Sequence, residues 1–91
     1  MREDAISYMS KARQDLVTYG SKLFVASVSD TQLAQCKHVQ QQAIKRIELM
    51  HARILRTSRI KKQRLVAYQK EAQKLMENLQ QQFAMLQTKP S

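Results

Sequence analysis

The side chains with the clearest capacity for chemistry are cations. Between Lys45 and Arg64 the chain carries Lys45, Arg46, Arg53, Arg56, Arg59, Lys61, Lys62 and Arg64 against a single acid, Glu48. On a helix the spacing of Arg46, Arg53 and Arg56 places them along one line, with Arg59 beside it. Cations set out this way can meet the phosphates of a nucleic-acid backbone or the carboxylates of an acidic protein. Phosphate contact of that kind is sequence-independent and weakens steeply with salt. The stretch has no interleaved aromatic residues for base stacking and no groove-reading pattern, so it reads no base. A solvated basic face that keeps a helical rod dissolved is the plain alternative.

Other reactive residue types are sparse. Cys36 and His38 are the one close pair of soft ligands, but a spacing of two residues puts them on different sides of a helix, and no further ligand lies nearby. We therefore expect no metal. His51 falls at a core spacing and reads as a polar core residue paired with Gln40. Paired carboxylates, a nucleophile beside a base, and a glycine-rich phosphate loop are all missing from the sequence, so we expect no catalysis, no cofactor and no small-molecule substrate.

The element that must position these cations is a heptad repeat. With position a at Met9, core positions recur every 3.5 residues from Ala5 to Leu86 without a skip, the signature of a coiled coil. The apolar core positions expected at an oligomer interface are Met9, Ala12, Leu16, Tyr19, Leu23, Ala26, Leu33, Ile44, Ile47, Ile54, Leu65, Tyr68, Ala72, Leu75, Leu79 and Leu86. Between Asp30 and Lys61 the seam weakens, with Asp30, Lys37, Gln40, His51, Ser58 and Lys61 at core positions. Polar residues there can fix register and oligomer state. Met50, Leu55, Met76, Phe83 and Met85 lie beside the seam and widen it beyond what two helices need. That width fits a four-helix assembly or a second helical partner.

These features predict an all-α fold: a long coiled-coil helix forming an antiparallel dimer or a four-helix bundle. One register sets Leu16 against Leu75, Tyr19 against Ala72, Asp30 against Lys61 and Gln40 against His51, with Lys22 beside Glu71. The same contacts in one chain would need a turn at Ala43 to Glu48, where no turn residue stands. At about 1.5 Å per residue the rod would be roughly 120 Å long. Residues 1–91 form a single module, with a possible hinge at 27–31 and a frayed tail at 88–91. Ser29 followed by Gln32 has the spacing of a capping box, yet without Gly or Pro nearby we expect the helix to continue through it.

Composition agrees with this reading. Ninety-one residues with one Gly and one Pro offer little material for tight turns, and a net charge of +9 implies anionic partners. The single Cys fits a reducing compartment, and we expect the nucleus or cytoplasm. No apolar run is long enough to span a membrane.

The segment Arg53 to Leu65, reading RILRTSRIKKQRL, resembles part of the coiled-coil region of the axial-element proteins of the synaptonemal complex, with a one-residue gap. That family forms antiparallel helical bundles that build filaments along meiotic chromosomes. The resemblance implies a chromosome-associated filament in which the Lys45 to Arg64 stretch meets DNA. From the residues themselves, the leading expectation is a non-enzymatic, self-associating scaffold with a basic central face. A nucleic-acid-binding coiled coil and a subunit of a hetero-oligomeric helical complex are the alternatives.

Overall fold

The computed structural model describes residues 1–23 and 29–88, with side chains over 1–19 and 29–85. Three helices follow one another: α1 (Arg2–Leu23), α2 (Asp30–Arg56) and α3 (Lys62–Thr88). The all-α expectation is borne out. The single continuous helix is not, because the chain folds back twice and each helix packs on both others. The longest dimension is 51 Å, less than half the rod length the unbroken repeat implies.

Both reversals have local causes. Ser29 leaves the helical region at φ −70° and ψ 157°. Its hydroxyl accepts from the Gln32 backbone N–H at 3.2 Å, while the Gln32 side chain accepts from the Ser29 N–H at 3.3 Å. This reciprocal cap satisfies two of the donors that a helix start leaves open. It starts α2 afresh inside the expected hinge at 27–31, of which 27 and 28 lie outside the described residues, as do 89–91 of the expected tail. The second reversal, Thr57–Lys61, was expected to be helix. Thr57 takes an extended backbone at φ −104° and ψ 102°, and the Lys61 carbonyl then accepts from the N–H groups of Arg64 and Leu65 to open α3. Ile60 and Leu65 occupy the two positions of a hydrophobic staple, with Leu65 in the core and Ile60 partly buried against it. Ser58 and Lys61, read as polar core residues, are instead exposed residues of a connection.

Long-range contacts set the directions. Arg2 Nη2 donates to the Leu55 carbonyl at 3.2 Å and Gln40 Nε2 to the Leu16 carbonyl at 2.8 Å, so α1 and α2 are antiparallel. Arg46 meets Glu71, so α3 returns along α2. Gln80 Nε2 donates to the Tyr19 hydroxyl at 2.8 Å, and the Tyr19 and Phe83 rings meet edge to face at 6.3 Å, which places α3 parallel to α1.

The core uses the expected seam in α1 and α3 and half of it in α2, where Ile47 and Ile54 are buried as expected and the other row is shifted. Ala5, Met9, Ala12 and Leu16 are buried, as are Leu65, Tyr68, Ala72 and Leu79. In α2 the buried residues are Cys36, Ala43, Ile47, Met50 and Ile54. Cys36, Ala43 and Met50 each stand one place before the expected Lys37, Ile44 and His51. Once Ser29 restarts the helix, its phase is free of α1, and burying Cys36 and Met50 spares the desolvation of Lys37 and His51. Ile44, Leu33 and Leu75 are half-buried at the edge of the core. The expected facing pairs are replaced accordingly: Tyr19 meets Phe83, Gln40 meets Leu16 and Glu71 meets Arg46, while Asp30 opens α2 and Lys61 lies past its other end. Of the expected interface, the side chains of Leu23 and Leu86 and all of Ala26 lie outside the described residues.

Candidate functional site

The second reversal decides where the cations go. Had the helix run on, they would line a face in the middle of a rod. Because α2 stops at Arg56 and α3 starts at Lys62, the densest part of the run is folded onto one end of the bundle. Arg53 and Arg56 stand on the last turns of α2, Arg59 and Lys61 on the connection, and Lys62 and Arg64 on the first turn of α3. All six are exposed. No acid occurs between Glu48 and Glu71 in the sequence, and the acids that reach this end are Glu3 and Asp4 in the first turn of α1, so cations outnumber acids here.

Lys45 and Arg46, which belong to the same run, sit apart from that end. Arg46 and Glu71 form a two-pronged ion pair across the α2 and α3 helices, with Nη2 donating to Oε1 at 3.1 Å and Nε donating to Oε2. The hydrogen bond from Arg46 holds the Glu71 carboxyl below its ordinary range, and the same bond raises the Arg46 guanidinium. Arg13 of α1 meets Glu48 of α2 at 3.6 Å, so Glu48 is also engaged. Lys45 is exposed beside Glu48 and Leu49. Among the described residues, Arg53, Arg56, Arg59, Lys61, Lys62 and Arg64 have no such anionic partner.

Helix polarity treats the two sides of this end differently. Arg53 and Arg56 occupy the last turn of α2, where the macrodipole favours positive charge. The first turn of α3 contains no acid, and Lys62 and Arg64 stand where negative charge would be favoured. Arg2 also reaches this end, but its Nη2 is tied to the carbonyl of Leu55 and its Nε is buried. It closes the end of α2 and is not offered to a ligand.

Apolar surface accompanies the charge. Leu49 is 61% exposed and Leu55 52% exposed, both on α2. Between α2 and α3, Arg46, Leu49, Met50, Arg53, Arg56 and Tyr68 line a groove of about 240 Å³. Charge was legible as a run of residue types. The groove was not, because Tyr68 comes beside Arg53 only after the chain reverses at a turn with neither Gly nor Pro.

The remaining sequence candidates do not converge on a site. Cys36 is buried, and burial pushes its thiol up from its ordinary value. His38 is exposed and pairs with Gln42 at 3.1 Å. His51 is half-buried outside the core, and the Gln40 expected beside it donates to α1. Among the described residues no group of three or more His, Cys, Asp or Glu side chains is gathered, and no helix is long and apolar enough to cross a membrane.

The fold and surface thus define a three-helix bundle with a cationic end. No family model, curated protein or solved structure matches the chain.

Proposed function

We propose that this chain is a non-enzymatic helical assembly module that binds an anionic macromolecule through the basic end formed by α2, its connection and α3. The observation that carries this reading is the contrast in pairing: Arg13 and Arg46 have carboxylate partners, while the six cations from Arg53 to Arg64 have none among the described residues. Lys62 and Arg64 stand against the α3 macrodipole, which disfavours them in the isolated bundle. An anion placed there would relieve both the mutual repulsion and the exposed helix start.

Self-association through the heptad seam is the expectation this reading modifies. Met9, Leu16, Ile47, Ile54 and Leu79 are covered within one chain. A homo-oligomer would have to open the bundle or use other residues. Nucleic acid remains a candidate for the anion, with phosphate contact and no base reading.

Fluorescence anisotropy with duplex DNA and with polyglutamate, each titrated at several salt concentrations, tests the proposal. The wild-type chain should bind at least one of them with an affinity that falls as salt rises. Replacing Arg53, Arg56 and Arg64 together by Glu should weaken that binding at least tenfold while circular dichroism shows the helices intact. Equal binding by wild type and variant would rule the basic end out.

A further inference from the structure

We infer that Ser58 is a phosphorylation site for a protein kinase directed to basic sequences, and that its phosphate weakens the hold of the basic end on an anionic partner. The second half deepens the proposed function and rests on it, while the first stands apart from it. A kinase draws several residues around the acceptor into its cleft, so the hydroxyl must be exposed on backbone that is free to leave the fold. Ser58 meets that requirement and its rivals do not. It is exposed in the Thr57–Lys61 connection, directly after the extended Thr57. Among the Ser and Thr residues whose side chains are described, Ser7, Ser10, Thr18 and Thr31 lie inside helices, Thr57 is half-buried, and the Ser29 hydroxyl is held in the α2 cap. The Ser58 hydroxyl has no hydrogen-bond partner among the described residues. Ile60, the single apolar residue of the connection, is only partly buried, so the segment can lift toward a cleft without opening the core.

The flanks supply the recognition. Arg56 stands two residues before Ser58, Arg59 directly after it, and Lys61 and Lys62 three and four residues after it, with no acid between Glu48 and Glu71. Kinases that choose substrates by charge pattern read such cations with carboxylates of their own. In the transfer, Ser58 Oγ attacks the γ-phosphorus of ATP. The Oγ–P bond forms, the bond from that phosphorus to the oxygen bridging the β and γ phosphates breaks, and ADP leaves. The hydroxyl proton passes to the catalytic carboxylate of the kinase. The product carries a charge of about −1.5 to −2 among the six cations from Arg53 to Arg64, and so cancels about two of them. It also brings strong acceptor oxygens close to the start of α3, where the N–H groups of Lys62 and Gln63 have no acceptor among the described residues. A phosphorylated chain therefore holds its own anion where the unmodified chain would take one from a partner.

The test incubates the purified full chain with magnesium and γ-labelled ATP and the catalytic domains of two basic-directed kinases, protein kinase A and protein kinase C. Fragmentation in a mass spectrometer then places the phosphate. It should enter on Ser58, and Ser58→Ala should cut incorporation at least tenfold. Ser58 is exposed in a connection, so its variant keeps the fold, which circular dichroism checks. Anisotropy with duplex DNA and with polyglutamate supplies the second readout. Whichever of them the unmodified chain binds, the phosphorylated chain should bind at least fivefold more weakly and with a shallower salt dependence, and phosphatase should restore the original affinity. No incorporation, incorporation on another residue, or equal labelling of Ser58→Ala would overturn the inference. Phosphate on Ser58 with unchanged anion binding would overturn its second half and leave the proposed function standing. An unmodified chain that binds neither anion would overturn the proposed function together with that second half, and the labelling would then decide the site by itself.

Discussion

Arg46 and Arg53 are two turns apart on the same helix, and their surroundings are opposite. Arg46 faces Glu71 across the α2 and α3 helices, and both groups shift toward their charged forms. Arg53 lies beside Tyr68 and Arg56, near a helix start that carries Lys62 and Arg64. At the waist, charge serves the bundle by pairing elements that the core already holds together. At the end, charge accumulates where the fold gains little from it and, on the α3 side, is opposed by the helix polarity. A cationic residue type therefore says little about its role until its partners are known.

The comparison can be broken first at the waist. Ile47 is fully buried next to Arg46, and Ile47→Ala should cost about 2–5 kcal/mol of stability in urea unfolding. Leu49→Ala, two residues on but exposed, should change stability far less, since surface substitutions usually stay within about 0.5 kcal/mol. The cap that folds α1 back is next. Ser29→Ala should cost about 0.5–2 kcal/mol, read from the same unfolding curves.

Smaller effects sharpen the contrast in charge. Lys62→Glu places an acid in the first turn of α3 and relieves repulsion among its neighbours. It should stabilise the chain by about 0.3–1 kcal/mol in thermal melts at low salt, with the gain fading as salt rises. Breaking the waist pair with Glu71→Gln should cost only about 0.2–1 kcal/mol, because both side chains are substantially exposed. The pair also carries a pH dependence of known sign. Glu71 is held below its ordinary value of 4.5 in the folded chain, so its contribution is present above that pH and is lost as pH falls through the lowered value. Melts of wild type and Glu71→Gln should therefore converge at acid pH. A difference that persisted there would mean the pair acts through something other than its charge.

Most of the apolar seam of α1 and α3 was legible, since Met9, Ala12 and Leu16, and Leu65, Tyr68, Ala72 and Leu79, are buried where the repeat puts them, with Tyr19 and Leu75 half-buried. In α2 Ile47 and Ile54 are buried where the repeat puts them, but Cys36, Ala43 and Met50 are buried in place of the residues that follow each of them. A heptad pattern carries phase along a continuous helix, and it cannot register a turn that resets the phase without a gap. The resetting left marks all the same. Ser29 with Gln32 had capping-box spacing, and Ser58 and Lys61 broke the seam where the chain turns. Those marks read equally well as tolerated polar core residues, because polar core positions and short connections draw on the same residue types. The run of cations was visible from the start, but whether each one had a carboxylate opposite depended on which helices met. Glu71 was expected beside Lys22 and instead holds Arg46. The segment that resembles the axial-element proteins spans the second turn, so it does not form one continuous helix here.

Light-scattering mass on a sizing column, at low and high salt, tests most directly whether one chain closes its own core and so leaves the basic end as the working surface. The account predicts the mass of a single chain, 10.6 kDa, under both conditions. A dimer or tetramer that persists at high salt would show the apolar seam shared between chains and would contradict it.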